Sequence, residues 1–111
     1  MRWKSKQYLH KFKNKSVIDK GERYASKLEH RYKNYLELLK INGDVIFYLT
    51  QVPLRLPGGT KYIVDFLVFY ENGSIEFVDT KGVETDTFKI KKREIEAIYP
   101  FEIKVVKKGD F

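Results

Sequence analysis

Cysteine is absent from this 111-residue chain. Its absence excludes a disulfide framework, a thiolate zinc site, an iron–sulfur cluster and a cysteine nucleophile. Two histidines are too few for a His-rich zinc centre, and proline occurs only three times. Long apolar runs are missing as well. The longest, residues 45–49 and 66–70, have five residues each, where a membrane span needs about 20. The first twenty residues contain no apolar signal core, so the expectation is a soluble, cytoplasmic protein without a membrane partner. The length suits one domain that buries roughly two-thirds of the surface its unfolded chain exposes.

Charge is what the chain has in quantity: 22 Lys and Arg against 15 Asp and Glu, a formal net charge of +7. It is unevenly spread. Residues 1–20 carry seven bases and one acid, for +6, while residues 41–88 carry three bases and seven acids, for −4. Residues 1–20 are therefore set apart as a basic arm, and residues 21–111 as the folded domain. Within the arm, Arg2, Lys4, Lys6, Lys11, Lys13 and Lys15 alternate with Trp3, Tyr8 and Phe12. Two readings stand: phosphate neutralisation with stacking on bases, or a solvated tail that keeps the protein in solution. Acids gathered in the middle of a basic protein are the less expected feature.

The apolar spacing predicts an αβββαβ order. Leu28, Tyr32, Tyr35, Leu36 and Leu39 form a helical stripe over residues 26–41, with Ser26 as N-cap and Asn42-Gly43 as the stop. Strands follow at 45–51, 61–70 and 75–81, then a helix from an Asp86 or Thr87 cap to Tyr99, then a strand at 102–106. The expected fold class is α+β, a mixed central sheet flanked by helices.

The turn at Glu71-Asn72-Gly73-Ser74 decides what the central acids mean. A two-residue Asn72-Gly73 turn would set Asp65 opposite Thr80. A three-residue loop with Gly73 left-handed pairs Leu67 with Phe77, Phe69 with Ile75, and Asp65 with Asp79. The second register gives the cleaner apolar face, Ile63, Leu67, Phe69, Ile75 and Phe77, ending in Asp65, Asp79 and Lys81. Opposed carboxylates at the edge of an apolar face repel and are partly desolvated. A shared proton, Lys81 or a divalent cation must compensate, and oxygen-only ligands suit Mg²⁺ or Mn²⁺. The plainer reading makes both acids strand-end residues, with Lys81 a surface partner.

Val64-Asp65-Phe66 followed by Asp79-Thr80-Lys81-Gly82 resembles the paired motifs of the PD-(D/E)XK nuclease superfamily. The αβββαβ order is that family's core order, a restriction-endonuclease-like core. The helix segment 26–32, with Glu29, is similar to the one that supplies the family's leading Glu, and Gln51 resembles a glutamine found in some branches. The likeness spans residues 17–106 and is nearest to small phage-encoded members grouped with Holliday-junction resolvases. Val64 stands where Pro is usual, and Asp79 where Glu is commoner.

The resemblance implies that Asp65 and Asp79 hold Mg²⁺ or Mn²⁺, helped by the Thr80 carbonyl and by Glu29. Lys81 would orient water or stabilise charge on the phosphate, and Gln51 would position water or metal. Each has a plainer alternative: Glu29 and Ser26 have capping-box spacing, and Gln51 ends a strand. Lys89, Lys91, Lys92 and Arg93 form a phosphate-facing edge or a solvated one, with Lys91 snorkelling from the apolar stripe. His30 reads as a surface histidine, and Pro57-Gly58-Gly59 as a turn without a nucleotide-loop Lys. The function expected is a Mg²⁺-dependent DNA endonuclease acting on branched or distorted duplex, as a homodimer, in the host cytoplasm if phage-encoded. The alternatives are a general nicking or repair nuclease of the same fold, and a non-catalytic DNA-binding module.

Overall fold

The computed structural model describes residues 20–111, with side chains from residue 27 onward. The arm, with Arg2, Lys4, Lys6, Lys11, Lys13 and Lys15, lies outside the described residues. The elements run α1 (Lys20–Asn42), β1 (Val45–Arg55), β2 (Lys61–Tyr70), β3 (Ile75–Thr80), α2 (Asp86–Ile98) and β4 (Ile103–Val106). One sheet has the order β1-β2-β3-β4. Its first three strands are antiparallel neighbours, and β3 and β4 are parallel. The fold is mixed α+β in the expected order. No helix among the described residues is long and apolar enough to cross a membrane.

Leu28, Tyr32 and Leu36 are buried at helical spacing and press α1 against the sheet beside Phe66, Val68, Val78 and Val106. Gly43, at φ 88°, ends the helix. Its N–H donates to the Lys40 carbonyl and that of Asp44 to the Leu39 carbonyl, the Schellman pattern that satisfies the last free carbonyls. The β2–β3 hairpin has the three-residue register. Leu67 faces Phe77 and Phe69 faces Ile75, around Gly73 at φ 90°.

Several boundaries differ from expectation for identifiable reasons. α1 starts at Lys20, so Ser26 lies inside the helix and is not its N-cap; the capping-box reading of Glu29 falls with it. β1 runs past Pro53 to Arg55 because β1 is an edge strand, where a missing N–H costs no ladder bond. The cap of α2 is Thr85, whose Oγ1 accepts the Phe88 N–H at 3.1 Å. β3 ends at Thr80 and β4 begins at Ile103.

The buried stripe of β2 also differs. Tyr62, Val64, Phe66 and Val68 are buried, whereas Ile63 and Ile75 are about half exposed. The reason is coverage. α1, with 23 residues, spans one face, and α2, with 13, covers only part of the other, near Phe77 and Ile103. One stripe nevertheless serves both cores. Phe66 and Val68 pack in the α1 cluster, Tyr62 and Val64 in the cluster of Phe88 and Ile95. β1 makes the same crossing, from Tyr48 in the first cluster to Leu54 in the second. The β1–β2 hairpin coils about the level of Gln51 and Asp65, which stand opposite each other between the pairs Thr50↔Phe66 and Val52↔Val64.

Candidate active site

The backbone ladder between β2 and β3 ends at Phe66↔Val78. The next residues in register are Asp65 and Asp79, and here side chains replace the ladder. The Asp65 N–H donates to Asp79 Oδ1 at 2.9 Å. In return the Thr80 N–H and Oγ1 hydroxyl donate to Asp65 Oδ2, each at 2.9 Å. Beyond this reciprocal lock the strands part. β3 continues with β4 through Asp79↔Val105 and Thr80↔Val106, extended by the Lys81 N–H to the Val106 carbonyl. β2 continues with β1. The two carboxylates therefore sit at a fork in the sheet, where β2 pairs onward with β1 and β3 with β4.

α1 brings Glu29 to the same fork, where its Oε2 accepts the Gln51 Nε2–H at 2.9 Å. Gln51 is left-handed, with φ 54°, and among the described residues it alone is a non-glycine residue with positive φ. Such a conformation costs on the order of 1–3 kcal/mol and persists only where the surroundings enforce it; here it accompanies the coil of the hairpin. Lys81 completes the group from the end of β3. Its Nζ lies 4.7 Å from the centroid of the Phe88 ring.

Burial and neighbouring charge act together on the carboxyls at the fork. Burial, and then the Asp65 charge, push the Glu29 carboxyl up to about 7; the Gln51 hydrogen bond and Lys81 pull the other way, and Asp79 adds to the rise. Burial raises Asp79 as well, with Asp65 second, against the Tyr62 hydroxyl, the Asp65 N–H and Lys81. Of the residues expected as one site, Asp65, Asp79 and Thr80 are joined by hydrogen bonds and Glu29 and Gln51 by another, while the charges of Asp65, Asp79 and Lys81 reach Glu29.

Tyr62 was not anticipated. Its hydroxyl donates to Asp79 Oδ2, reaching it because the coil swings the even-numbered stripe of β2 toward α2. A buried tyrosine needs a hydrogen-bond partner, but no spacing in the sequence says that Tyr62 is buried or that Asp79 is the partner.

The donor set is made of hard oxygens, with three carboxylates beside one ammonium, which suits a divalent cation such as Mg²⁺ or Mn²⁺. Asp65 Oδ1 and Glu29 Oε1 accept no hydrogen bond among the described residues. Among the described residues, no three acidic, histidine or cysteine side chains are grouped closely enough to hold a metal ion; protein donors already engage both oxygens of Asp79 and one of Asp65.

The basic edge is less uniform than expected. Lys89 and Arg93 are exposed and Lys91 is half-buried. Lys92 is committed to Glu96 at 2.8 Å, whose carboxylate also accepts the Ile103 N–H. His30 is exposed, and Pro57–Gly59 forms a single exposed turn.

The fold and site define a small α+β protein with an acidic cluster and one lysine at the fork of its sheet. Residues 9–108 match the family described as "Protein of unknown function (DUF1064)", and the chain belongs to that family. No curated protein and no solved structure matches it.

Proposed function

We propose that the protein is a Mg²⁺-dependent endodeoxyribonuclease of the PD-(D/E)XK kind, which hydrolyses phosphodiesters at branched DNA as a two-fold homodimer. The observation that carries this reading is the mutual hydrogen bonding of Asp65 and Asp79 where the β2–β3 ladder ends, with the Glu29–Gln51 pair of α1 and β1 close enough for Asp65 to raise the Glu29 carboxyl and Lys81 following directly after β3. A protein that only bound DNA would gain nothing from opposed acids beside a polyanion. Asp65, Asp79 and Glu29, with the Thr80 carbonyl, would hold Mg²⁺ or Mn²⁺. Bound there, the ion would polarise the scissile phosphate and lower the pKa of a water. Lys81 meets charge building on the phosphate oxygens, its ammonium placed by the Phe88 ring. Gln51 holds Glu29. Two copies about a two-fold axis supply the paired cuts that a four-way junction requires.

The test compares a four-way junction with a duplex of the same arms, in Mg²⁺. Symmetric paired cuts in the junction, faster than in the duplex, are expected. Equal rates would leave a general nuclease of the same fold. Binding without cleavage in either Mg²⁺ or Mn²⁺ would leave a non-catalytic DNA-binding module. Deleting residues 1–16, which removes Arg2, Lys4, Lys6, Lys11, Lys13 and Lys15, is expected to weaken binding and flatten the plot of log affinity against log salt by up to about 5. An unchanged slope would make the arm a bystander.

A further inference from the structure

Tyr62 and Phe88 lie outside the acid–lysine set, yet each touches one member of it. The Tyr62 hydroxyl donates to Asp79 Oδ2. The Tyr62 ring packs on Phe88, with centroids 6.2 Å apart and planes tilted by 37°. The opposite partner of Phe88 is the Lys81 ammonium, 4.7 Å from its centroid. Both aromatic residues are buried, at 7% and 5% exposure, and they come from different elements, β2 and α2. A continuous chain thus runs from carboxylate to phenol, from ring to ring, and on to ammonium.

Each end of this chain meets a specific need. Asp79 is 1% exposed, and each of its two oxygens accepts a separate donor, the Asp65 N–H on Oδ1 and the Tyr62 hydroxyl on Oδ2. That fixes the rotation of the carboxylate plane. Lys81 has a four-carbon stem and a head that turns freely in solution, while a ring face within 6 Å supplies a shallow attractive well for it. α2 carries Phe88 in its first turn, three residues after the Thr85 cap that accepts its N–H, so the placement of the ring is coupled to the helix start.

We infer that Tyr62 and Phe88 form an aromatic bracket of positioning residues, Tyr62 setting the orientation of Asp79 toward a divalent cation and Phe88 setting that of Lys81 toward the phosphate. The inference rests on the nuclease reading and assigns separate consequences to its two halves. Tyr62→Phe removes only the hydroxyl and keeps the ring. It is expected to weaken Mn²⁺ binding, measured by calorimetry without DNA, about tenfold, with kcat at saturating Mn²⁺ changed much less. Phe88→Leu keeps an apolar side chain and removes the ring face. It is expected to leave Mn²⁺ affinity unchanged and to lower kcat at saturating metal roughly tenfold.

A merely structural role would lower the melting temperature of both variants and move both readouts in parallel. That result, or two variants with wild-type affinity and wild-type kcat, would overturn the bracket while leaving the nuclease reading intact. A wild-type protein that neither binds Mn²⁺ nor cleaves DNA would remove the nuclease reading, and the bracket with it. Should Tyr62→Phe fail to fold, Phe88→Leu decides the matter by the same split.

Discussion

Asp79→Asn is expected to abolish Mg²⁺-dependent DNA cleavage and, in the same protein, to raise the melting temperature without metal. The two effects have one cause. Asp79 is 1% exposed and faces Asp65 across the hairpin, so its ionised form is disfavoured by burial and by a like charge. Asparagine keeps the shape and can still accept the Asp65 N–H, and its amide can donate to the Tyr62 oxygen. The desolvation cost disappears, and although the Tyr62 proton loses its acceptor, both contacts keep one hydrogen bond, so the fold gains stability. Under the proposed nuclease function the ligand charge is then gone, and with it a means of holding a divalent cation against phosphate. Loss of cleavage by at least about 10³-fold is expected, on the scale of removing a principal electrostatic group. A plasmid-nicking assay and a thermal melt on the same preparation check both halves. Retained cleavage would remove Asp79 from the site; a lower melting temperature would show that the carboxylate is stabilising and not strained.

The second large effect is a fall in stability as pH rises, carried by Glu29. Its carboxyl is raised from 4.5 to about 7, first by burial and then by Asp65. A raised carboxyl pKa means that the folded protein binds the proton more tightly than the unfolded chain does. Between pH 4.5 and about 7 the folded state holds more protons, and stability is lost as pH climbs through that window. The full span corresponds to about 3 kcal/mol, or on the order of 10 °C in melting temperature for a domain of this size. Asp79, shifted in the same direction, adds to the trend. Self-repulsion of a chain at net +7 works against it at low pH, so the comparison that matters is with Glu29→Gln. That variant is expected to melt higher than wild type at pH 8 and equally at pH 4.5. Adding Mg²⁺ at pH 8 should restore much of the wild-type loss, because a ligand that binds only the folded state stabilises it. A wild-type melting curve parallel to that of Glu29→Gln across this range would show that Glu29 carries no such penalty.

Much of this was legible in the chain because the governing rules are local. Gly73 allowed two hairpin lengths, and the cleaner apolar face chose the three-residue loop that sets Asp65 against Asp79, the register the structure has. Gly43 fixed the end of α1, and the spacing of Leu28, Tyr32 and Leu36 fixed which side of the helix is buried. Errors arose where a boundary depends on distant partners. Pro53 looks like a strand end until β1 is known to be an edge. Ser26 looks like a cap until the helix is seen to start at Lys20. The buried stripe of β2 differs from expectation because both of its faces are apolar, and alternation cannot say which one the longer helix will cover.

The absences with which the sequence begins, no cysteine and few histidines, confined any metal chemistry to carboxylate and carbonyl oxygens, and the hairpin turn placed two of those carboxylates face to face. Those conclusions follow from composition and short-range register. Only the tertiary structure decided that Glu29 and Gln51 meet them at the fork, that Asp79 is buried and Asp65 only half so, and that Tyr62 and Phe88 tie Asp79 to Lys81. The reason is geometric. The coil of the β1–β2 hairpin moves one stripe of side chains from one core to the other, and no period in the sequence records a coil.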